Sequence, residues 1–242
     1  MRFDQTAAPG GYAVKLFATG TNNAGDPFTR YAQAAFEVGY RALYVWDTDP
    51  EIAYQVEGLL EANGWRVDRR RLREIPSTDL SVYHLLVVGP DTSAYGVFSA
   101  SDIAGLLLQY PLPVLGLGQG GSAFFEQAGL AIGWSQSWLS SDPAVDVVDP
   151  AARYWSEPYT ITPFERRVQL FAERLEEIGV YVPKPSSSLT LIGRETGDQA
   201  HYPVLREVHG ERSFILWGYS RGPNTMTDDG RALLVNLSHS LR

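Results

Sequence analysis

The chain has 242 residues, 44% hydrophobic and 20% charged, enough for one large or two small packed domains and unlike disordered or fibrous proteins. Its 20 Lys and Arg against 28 Asp and Glu give a net charge of −8, which repels phosphate backbones and anionic lipid, so neither nucleic acid nor a membrane is an expected partner. It contains no cysteine, which excludes disulfides, thiolate metal sites, iron–sulfur clusters and cysteine nucleophiles. The longest apolar runs, residues 103–108 and 114–117, are far shorter than the roughly 20 residues of a membrane span. Residues 1–11 lack a basic-then-apolar signal pattern, which leaves the cytoplasm as the default expectation.

In chain order, residues 1–11 read as a tail, 19–27 as a run of turn formers, and 28–38 as a short helix with Tyr31, Ala35 and Val38 on one face. Residues 1–40 are thus expected to be a tail and helical lead-in to a domain spanning 41–242. The apolar run 42–46 has the pattern of a strand covered on both faces. Asp49 fits an N-cap and Pro50 the first helical position, Ile52, Val56, Leu59 and Leu60 form an apolar stripe, and Gly64 supplies the stop. Further strands are expected at 66–72, 84–88 and 114–117, and helices from Ser101 and over 122–128. Strands alternating with such helices imply a parallel sheet with helices on both faces.

Beyond an irregular aromatic stretch, Thr162 and Glu165 suggest a capping box. Phe164, Val168, Phe171, Leu175 and Ile178 then share one helical face ending at Gly179. Strands follow at 189–192, 204–208 and 214–217, the last two a hairpin turning at His209-Gly210-Glu211, and Thr227 caps a final helix over about 228–237.

The most informative segment is Gly116-Leu117-Gly118-Gln119-Gly120-Gly121-Ser122, a strand that breaks into glycines and restarts as a helix. Such an elbow holds its central residue in a strained conformation and usually presents a nucleophile. Gly116 to Gly120 resembles the G-x-C-x-G elbow of class I glutamine amidotransferase-like proteins, with Gly118 at the position of the nucleophilic cysteine. Leu86-Val87-Val88-Gly89-Pro90-Asp91 resembles that superfamily's glycine-proline loop, which lends an oxyanion-hole N–H. The segment from Phe214 to Leu237 resembles its closing strand, loop and helix, with Gly218, Tyr219 and Ser220 where the family carries its catalytic His-x-Glu.

The resemblance, over roughly residues 41–237, implies a three-layer α/β sandwich with a mainly parallel flavodoxin-like sheet and an added C-terminal β-hairpin. It implies a member without the thiolate and base that acyl transfer needs, and hence a ligand-binding or protein-assembly module without a cofactor. The same glycines also fit close packing of a helix on the sheet, and both readings stand at this point.

Other motifs have competing explanations. His209-Gly210-Glu211 spells His-x-Glu but sits at a hairpin tip. Ser122 at a helix start suits a displaced nucleophile or a cap. Asp47-Thr48-Asp49 resembles the D-x-D opening of haloacid dehalogenase-like phosphatases, although Pro50 leaves no room for that family's flap. These two define the catalytic alternative, a hydrolase or transferase using Ser122 or Asp47. Gly116-x-Gly118-x-x-Gly121 meets the literal dinucleotide fingerprint, but at the fourth strand and without the acidic residue that should follow. His84, His201, His209 and His239 have no H-x-H or H-E-x-x-H spacing, so no metal site is expected. Arg66, Arg69, Arg70, Arg71 and Arg73 suit a charged edge strand or an anion site.

A sheet of this class binds ligands beyond the C-terminal ends of its strands. The candidate crevice is therefore Asp47, Thr48, Gly89, Asp91, Thr92, Gly118, Gln119, Ser122, Tyr219 and Arg221. Among the aromatics Trp134, Trp138, Tyr154, Trp155 and Tyr159, an exposed set would suit a sugar ring, with Trp134, Trp138 and Trp155 as the candidate contact for a protein partner.

Overall fold

The computed structural model describes residues 10–242. The chain divides into two units, 1–40 and 41–242. In the first, β1 (Gly10–Thr21) and β2 (Pro27–Val38) form an antiparallel ribbon paired from Gly10↔Val38 to Thr21↔Pro27. The expected helix over 28–38 is therefore a strand. The turn-former run closes the hairpin: Asn22 Oδ1 accepts from Ala24 N at 2.9 Å and Asp26 N at 2.8 Å, an Asx-type turn that sends the chain straight back. Of the expected tail, residues 1–9 lie outside the described residues, and Gly10 and Gly11 open β1.

The second unit follows the alternating pattern in its first half. The elements are β3 (Tyr40–Trp46), α1 (Pro50–Glu61), β4 (Trp65–Arg71), β5 (Leu85–Val88), the short ribbon β6 (Ser93–Ala94) and β7 (Val97–Phe98), α2 (Ser101–Leu108), β8 (Val114–Leu117) and α3 (Gly118–Gln127). Asp49 caps α1, its Oδ1 accepting from Glu51 N at 2.9 Å. The second half comprises β9 (Ser137–Ser140), β10 (Ala144–Val147), β11 (Arg167–Gln169), β12 (Glu177–Tyr181), β13 (Leu189–Glu195), β14 (His201–Tyr202), β15 (Val204–His209), β16 (Arg212–Trp217) and α4 (Asp228–His239).

These strands build a nine-stranded mixed sheet in the order β11-β10-β13-β15-β16-β8-β5-β3-β4 and a three-stranded sheet β14-β12-β9. The run β3, β5, β8, β16 is parallel, and beyond β16 the pairs to β15, β13, β10 and β11 are antiparallel. The hairpin expected at the C-terminal end thus shares β16 with the parallel sheet and carries three further strands. α2 and α3 cover one face, with Leu107, Phe124 and Phe125 packed among Leu43, Leu86, Val88, Phe214 and Leu216. The alternate residues Tyr44, Val87, Leu115 and Ile215 are fully buried, as are Val56 and Leu60 of α1 and Leu233 and Leu237 of α4. Arg-rich β4 lies at the sheet edge. There Arg69 pairs with Glu57 at 2.6 Å and covers the Tyr54 ring at 3.6 Å, and Arg71 covers Trp46 at 4.5 Å.

The helix expected from Thr162 to Ile178 is absent. β11 and β12 occupy that stretch, in different sheets. Glu165 and Arg166 adopt φ of 48° and 70°, and Phe164 and Arg167 exchange backbone hydrogen bonds of 3.0 and 2.8 Å across them. This tight two-residue turn is one that glycine or asparagine usually announces. Here pairing with β10 and β9 overrides an apolar spacing that matches a helix by coincidence.

Candidate functional site

The elbow forms at the end of β8. Gly118 is the first residue of α3 and has φ +50°, the left-handed conformation of an elbow residue. A Cβ built there would overlap Ser220 Oγ and lie 3.1 Å from both Pro90 Cβ and Ser220 Cα. At Gly120 a Cβ would overlap Gly89 O and Thr92 Oγ1, and at Gly121 the backbone of Gly116. The glycines therefore serve both purposes: Gly118 makes the turn, while Gly116, Gly120 and Gly121 let α3 pack directly on β8 and the loop after β5.

The loop after β5 is tied to the end of β3. Gly89 N donates to Val45 O at 2.8 Å, so this amide of the loop that the resemblance likened to an oxyanion-hole donor is engaged within the protein. Thr92 Oγ1 donates to Gly89 O at 2.8 Å, both buried. Asp91 Oδ2 accepts from Asp47 N at 3.0 Å, Thr48 N at 2.6 Å and Asp49 N at 2.7 Å. Three amides beside the start of α1 would suit a phosphate, and here they hold the protein's own carboxylate. Tyr44, fully buried beneath this loop, has its phenol pushed up by burial and then by Asp91 and Asp49.

Of the ten candidate residues, Asp47, Thr48, Gly89, Asp91 and Thr92 form this bonded loop pair. Gly118 adjoins it through Pro90, and Gln119 Nε2 donates to Glu176 Oε1 at 3.1 Å. Arg221 is exposed on the loop after β16. Ser122 lies in the interior, 0% exposed, with Oγ 3.4 Å from Ser137 Oγ. Tyr219 is also interior, packed between Phe171 and Trp217 at centroid distances of 4.9 and 5.2 Å.

Tyr219 leads to a polar cluster that sequence reasoning missed. It bridges Glu177 across the backbone, and its phenol is pushed up by burial and then by Glu177, Asp142 and Glu195. Glu177 is 1% exposed, and both its carboxyl oxygens, like the Tyr219 hydroxyl, are buried without a hydrogen-bond partner among the described residues. Burial, with Glu195 and Asp142 nearby, pushes its pKa up to about 9. His201 Nδ1 lies 2.6 Å from Glu195 Oε2 and 3.6 Å from Glu177 Oε1. The ring is stacked on Trp138 at 5.7 Å, and Trp138 in turn on Tyr181 at 5.1 Å. One donor atom each from Glu177, Glu195 and His201 lie within 4.8 Å of one another, a spacing that can hold a metal ion. The three residues come from β12, β13 and β14, so no short-range histidine spacing reveals them.

Of the aromatic belt, Tyr154 and Trp155 are buried core, which removes Trp155 from any contact surface, while Trp138 and Tyr159 are about half exposed. A cavity of about 580 Å³ beside Tyr181 is lined by Glu126, Leu130, Ser135, Gln136 and Lys184. Among the described residues, no helix is long and apolar enough to cross a membrane.

No protein-family model matches the sequence, and no curated protein matches it. Solved structures do match. A GMP synthase component from Thermoplasma acidophilum aligns at TM-score 0.54 with 14% identity, over 84% of this chain and 94% of that one. The structure of PurLQS from Thermotoga maritima aligns at TM-score 0.50 with 12% identity, over 85% of this chain and 100% of that one. A glutamine amidotransferase from Thermotoga maritima aligns at TM-score 0.45 with 14% identity, over 75% of this chain and 76% of that one. At such identities the likeness is one of fold alone, an α/β fold shared with the first two structures.

Proposed function

We propose that this chain is a non-catalytic glutamine amidotransferase-like domain that works as a ligand-binding or protein-assembly module. One observation carries the reading. The elbow keeps its left-handed turn, yet the space that a nucleophile's Cβ would take is filled by Ser220 Oγ. A side-chain nucleophile is therefore missing from the turn that should present it, and no cysteine exists elsewhere in the chain. Acyl transfer needs a nucleophile, its base and oxyanion donors together. Gly218, Tyr219 and Ser220 stand where the family's base and its partner would be, and the Gly89 amide is engaged by Val45.

The catalytic alternative gains nothing from the geometry. Ser122 is fully buried against Ser137, and the amides around Asp47 are occupied by Asp91. The module's contact surface is assigned to the exposed Trp138 and Tyr181 and the adjoining cavity, whose apolar and hydrogen-bonding walls suit a small molecule, a carbohydrate or a protein loop. The test is a turnover screen with glutamine, amides, esters and phosphate monoesters on the wild type, Ser122→Ala and Asp47→Asn. The expected result is no turnover above the buffer rate in any of the three. Turnover by the wild type that either substitution abolishes would overturn the reading.

A further inference from the structure

We propose that Glu177, Glu195 and His201 form a binding site for one divalent transition-metal cation, with Zn²⁺ as the matching probe. The inference is independent of the elbow and begins with the histidine. Its ring is 0% exposed. Trp138 stacks on it with an interplanar angle of 16°. The ring also packs on Gly179, where a Cβ would sit 2.5 Å from Cε1, so only glycine leaves room for it. His201 Nε2 lies 3.3 Å from Trp138 O. A carbonyl only accepts, so Nε2 donates there; a carboxylate also only accepts, so the 2.6 Å contact between Nδ1 and Glu195 Oε2 holds a shared proton, and Nδ1 is the ring nitrogen that faces the two carboxylates. Backbone carbonyls orient metal-binding histidines in this same way.

One ring nitrogen and two carboxylates then converge, with a proton shared in the shorter contact. Nδ1 is 2.6 Å from Glu195 Oε2 and 3.6 Å from Glu177 Oε1, and among the described residues no Lys or Arg forms an ion pair with either carboxylate. A proton shared by His201 and Glu195 still leaves both Glu177 oxygens and the Tyr219 hydroxyl buried without a hydrogen-bond partner among the described residues. Such orphaned groups call for an explanation, an unseen ion being one of the few available. A divalent cation would be ligated by one oxygen of Glu177 together with Glu195 and His201.

One imidazole with two carboxylates is a donor set suited to zinc, at bond lengths of about 2.0 to 2.2 Å. At those lengths neighbouring ligands of a tetrahedral ion lie about 3.3 Å apart. The Glu177 contact is near this already, while the 2.6 Å contact is a hydrogen-bond spacing. The arriving cation therefore displaces the proton between His201 and Glu195 and parts them by less than about 1 Å; the proton on Glu177 is released as well. The Glu195 side chain, 17% exposed, is the cluster's contact with solvent, from which a water would supply the remaining ligand. Because Glu177 and His201 belong to the three-stranded sheet and Glu195 to the nine-stranded one, the ion would tie the two sheets together.

The experiment dialyses the whole chain against a chelator, removes the chelator and titrates Zn²⁺ while metal content and thermal midpoint are followed. The expected result is one zinc per chain, with a midpoint that rises with free zinc as linkage requires. Glu177→Gln and His201→Gln should each weaken binding by at least about tenfold, whereas His209→Gln and His239→Gln should bind as the wild type does. Co²⁺ in place of zinc should give visible ligand-field absorption in the wild type that is lost in Glu195→Gln. The wild type supplies the primary readout, so a variant that does not fold leaves the test intact. Absence of stoichiometric zinc and an unmoved midpoint in the wild type would overturn the proposal, as would zinc bound equally by Glu177→Gln and His201→Gln. None of these outcomes depends on whether the domain turns over a substrate.

Discussion

A double-substitution cycle at Gly118 and Ser220 separates the two tasks of the elbow glycine. Gly118→Ala places a Cβ on a residue with φ +50°, a conformation that costs an L-residue about 1 to 2 kcal/mol. The stiffer unfolded chain returns about 0.4 to 1 kcal/mol of this. The Cβ also overlaps Ser220 Oγ and presses on Pro90 Cβ and Ser220 Cα at 3.1 Å, an overpacking worth about 1 to 3 kcal/mol. The net expectation is a loss of about 3 kcal/mol. Ser220→Gly removes the hydroxyl but not the backbone or Pro90 contacts, so the double variant should recover about 1 to 2 kcal/mol, a coupling well above the scatter for independent sites. Urea denaturation of the four proteins measures it, the slope serving as a check that the unfolded state is unchanged. A Gly118→Ala cost below about 1 kcal/mol, or no coupling to Ser220, would show that the hydroxyl does not fill the nucleophile's space, and the main support for a non-catalytic elbow would go with it.

Three further outcomes test other parts of the structure. Asp91→Ala strips the acceptor from the amides of Asp47, Thr48 and Asp49; it should cost about 2 kcal/mol in urea denaturation, and added phosphate should restore part of that loss while leaving the wild type unmoved. Asp68 accepts from Arg41 at 2.5 Å and Tyr83 at 3.0 Å; against the upward push of burial, these partners hold its carboxyl below the ordinary value of 3.8. Its contribution is thus complete above pH 3.8 and lost as pH falls through the lower folded value, so Asp68→Asn should flatten the acid limb of the stability profile and leave its slope near neutrality alone. Thr227→Ala removes the cap that Gly230 N bonds at 3.0 Å and the hydroxyl's donation to Gln169 O at 2.6 Å, and should lower the urea midpoint by the equivalent of about 1 to 2 kcal/mol.

The parts of the fold that rest on local chemistry were legible. Asp49-Pro50 starts α1, Thr227 caps α4, the buried apolar runs become β3, β5 and β8, and His209 pairs with Arg212 across the hairpin turn. Each signal lies within a few residues of the feature it specifies. β2 and β11 were not legible for the opposite reason. The first has an apolar pattern that suits a helix until a partner strand exists, and the second turns through Glu165 and Arg166, neither of which advertises a positive φ.

The candidate site divides along the same line. The elbow is visible because β8, its glycines and α3 are contiguous, whereas the interior positions of Ser122 and Tyr219 follow from where Ser137 and Phe171 arrive from other elements. The acid cluster is the extreme case. Glu177 sits in a segment whose spacing imitates a solvated helix, on which a carboxylate needs no explanation. Once that segment pairs with β9 and β14, the same carboxylate is 1% exposed, with a histidine Nδ1 3.6 Å from it. A charge that is ordinary on one secondary structure becomes a chemical demand on the other. The error that hid β12 is therefore the one that hid the cluster, and a sequence reading that weighed the strand pattern over 177–181 would have met Glu177 as a buried acid in search of a partner.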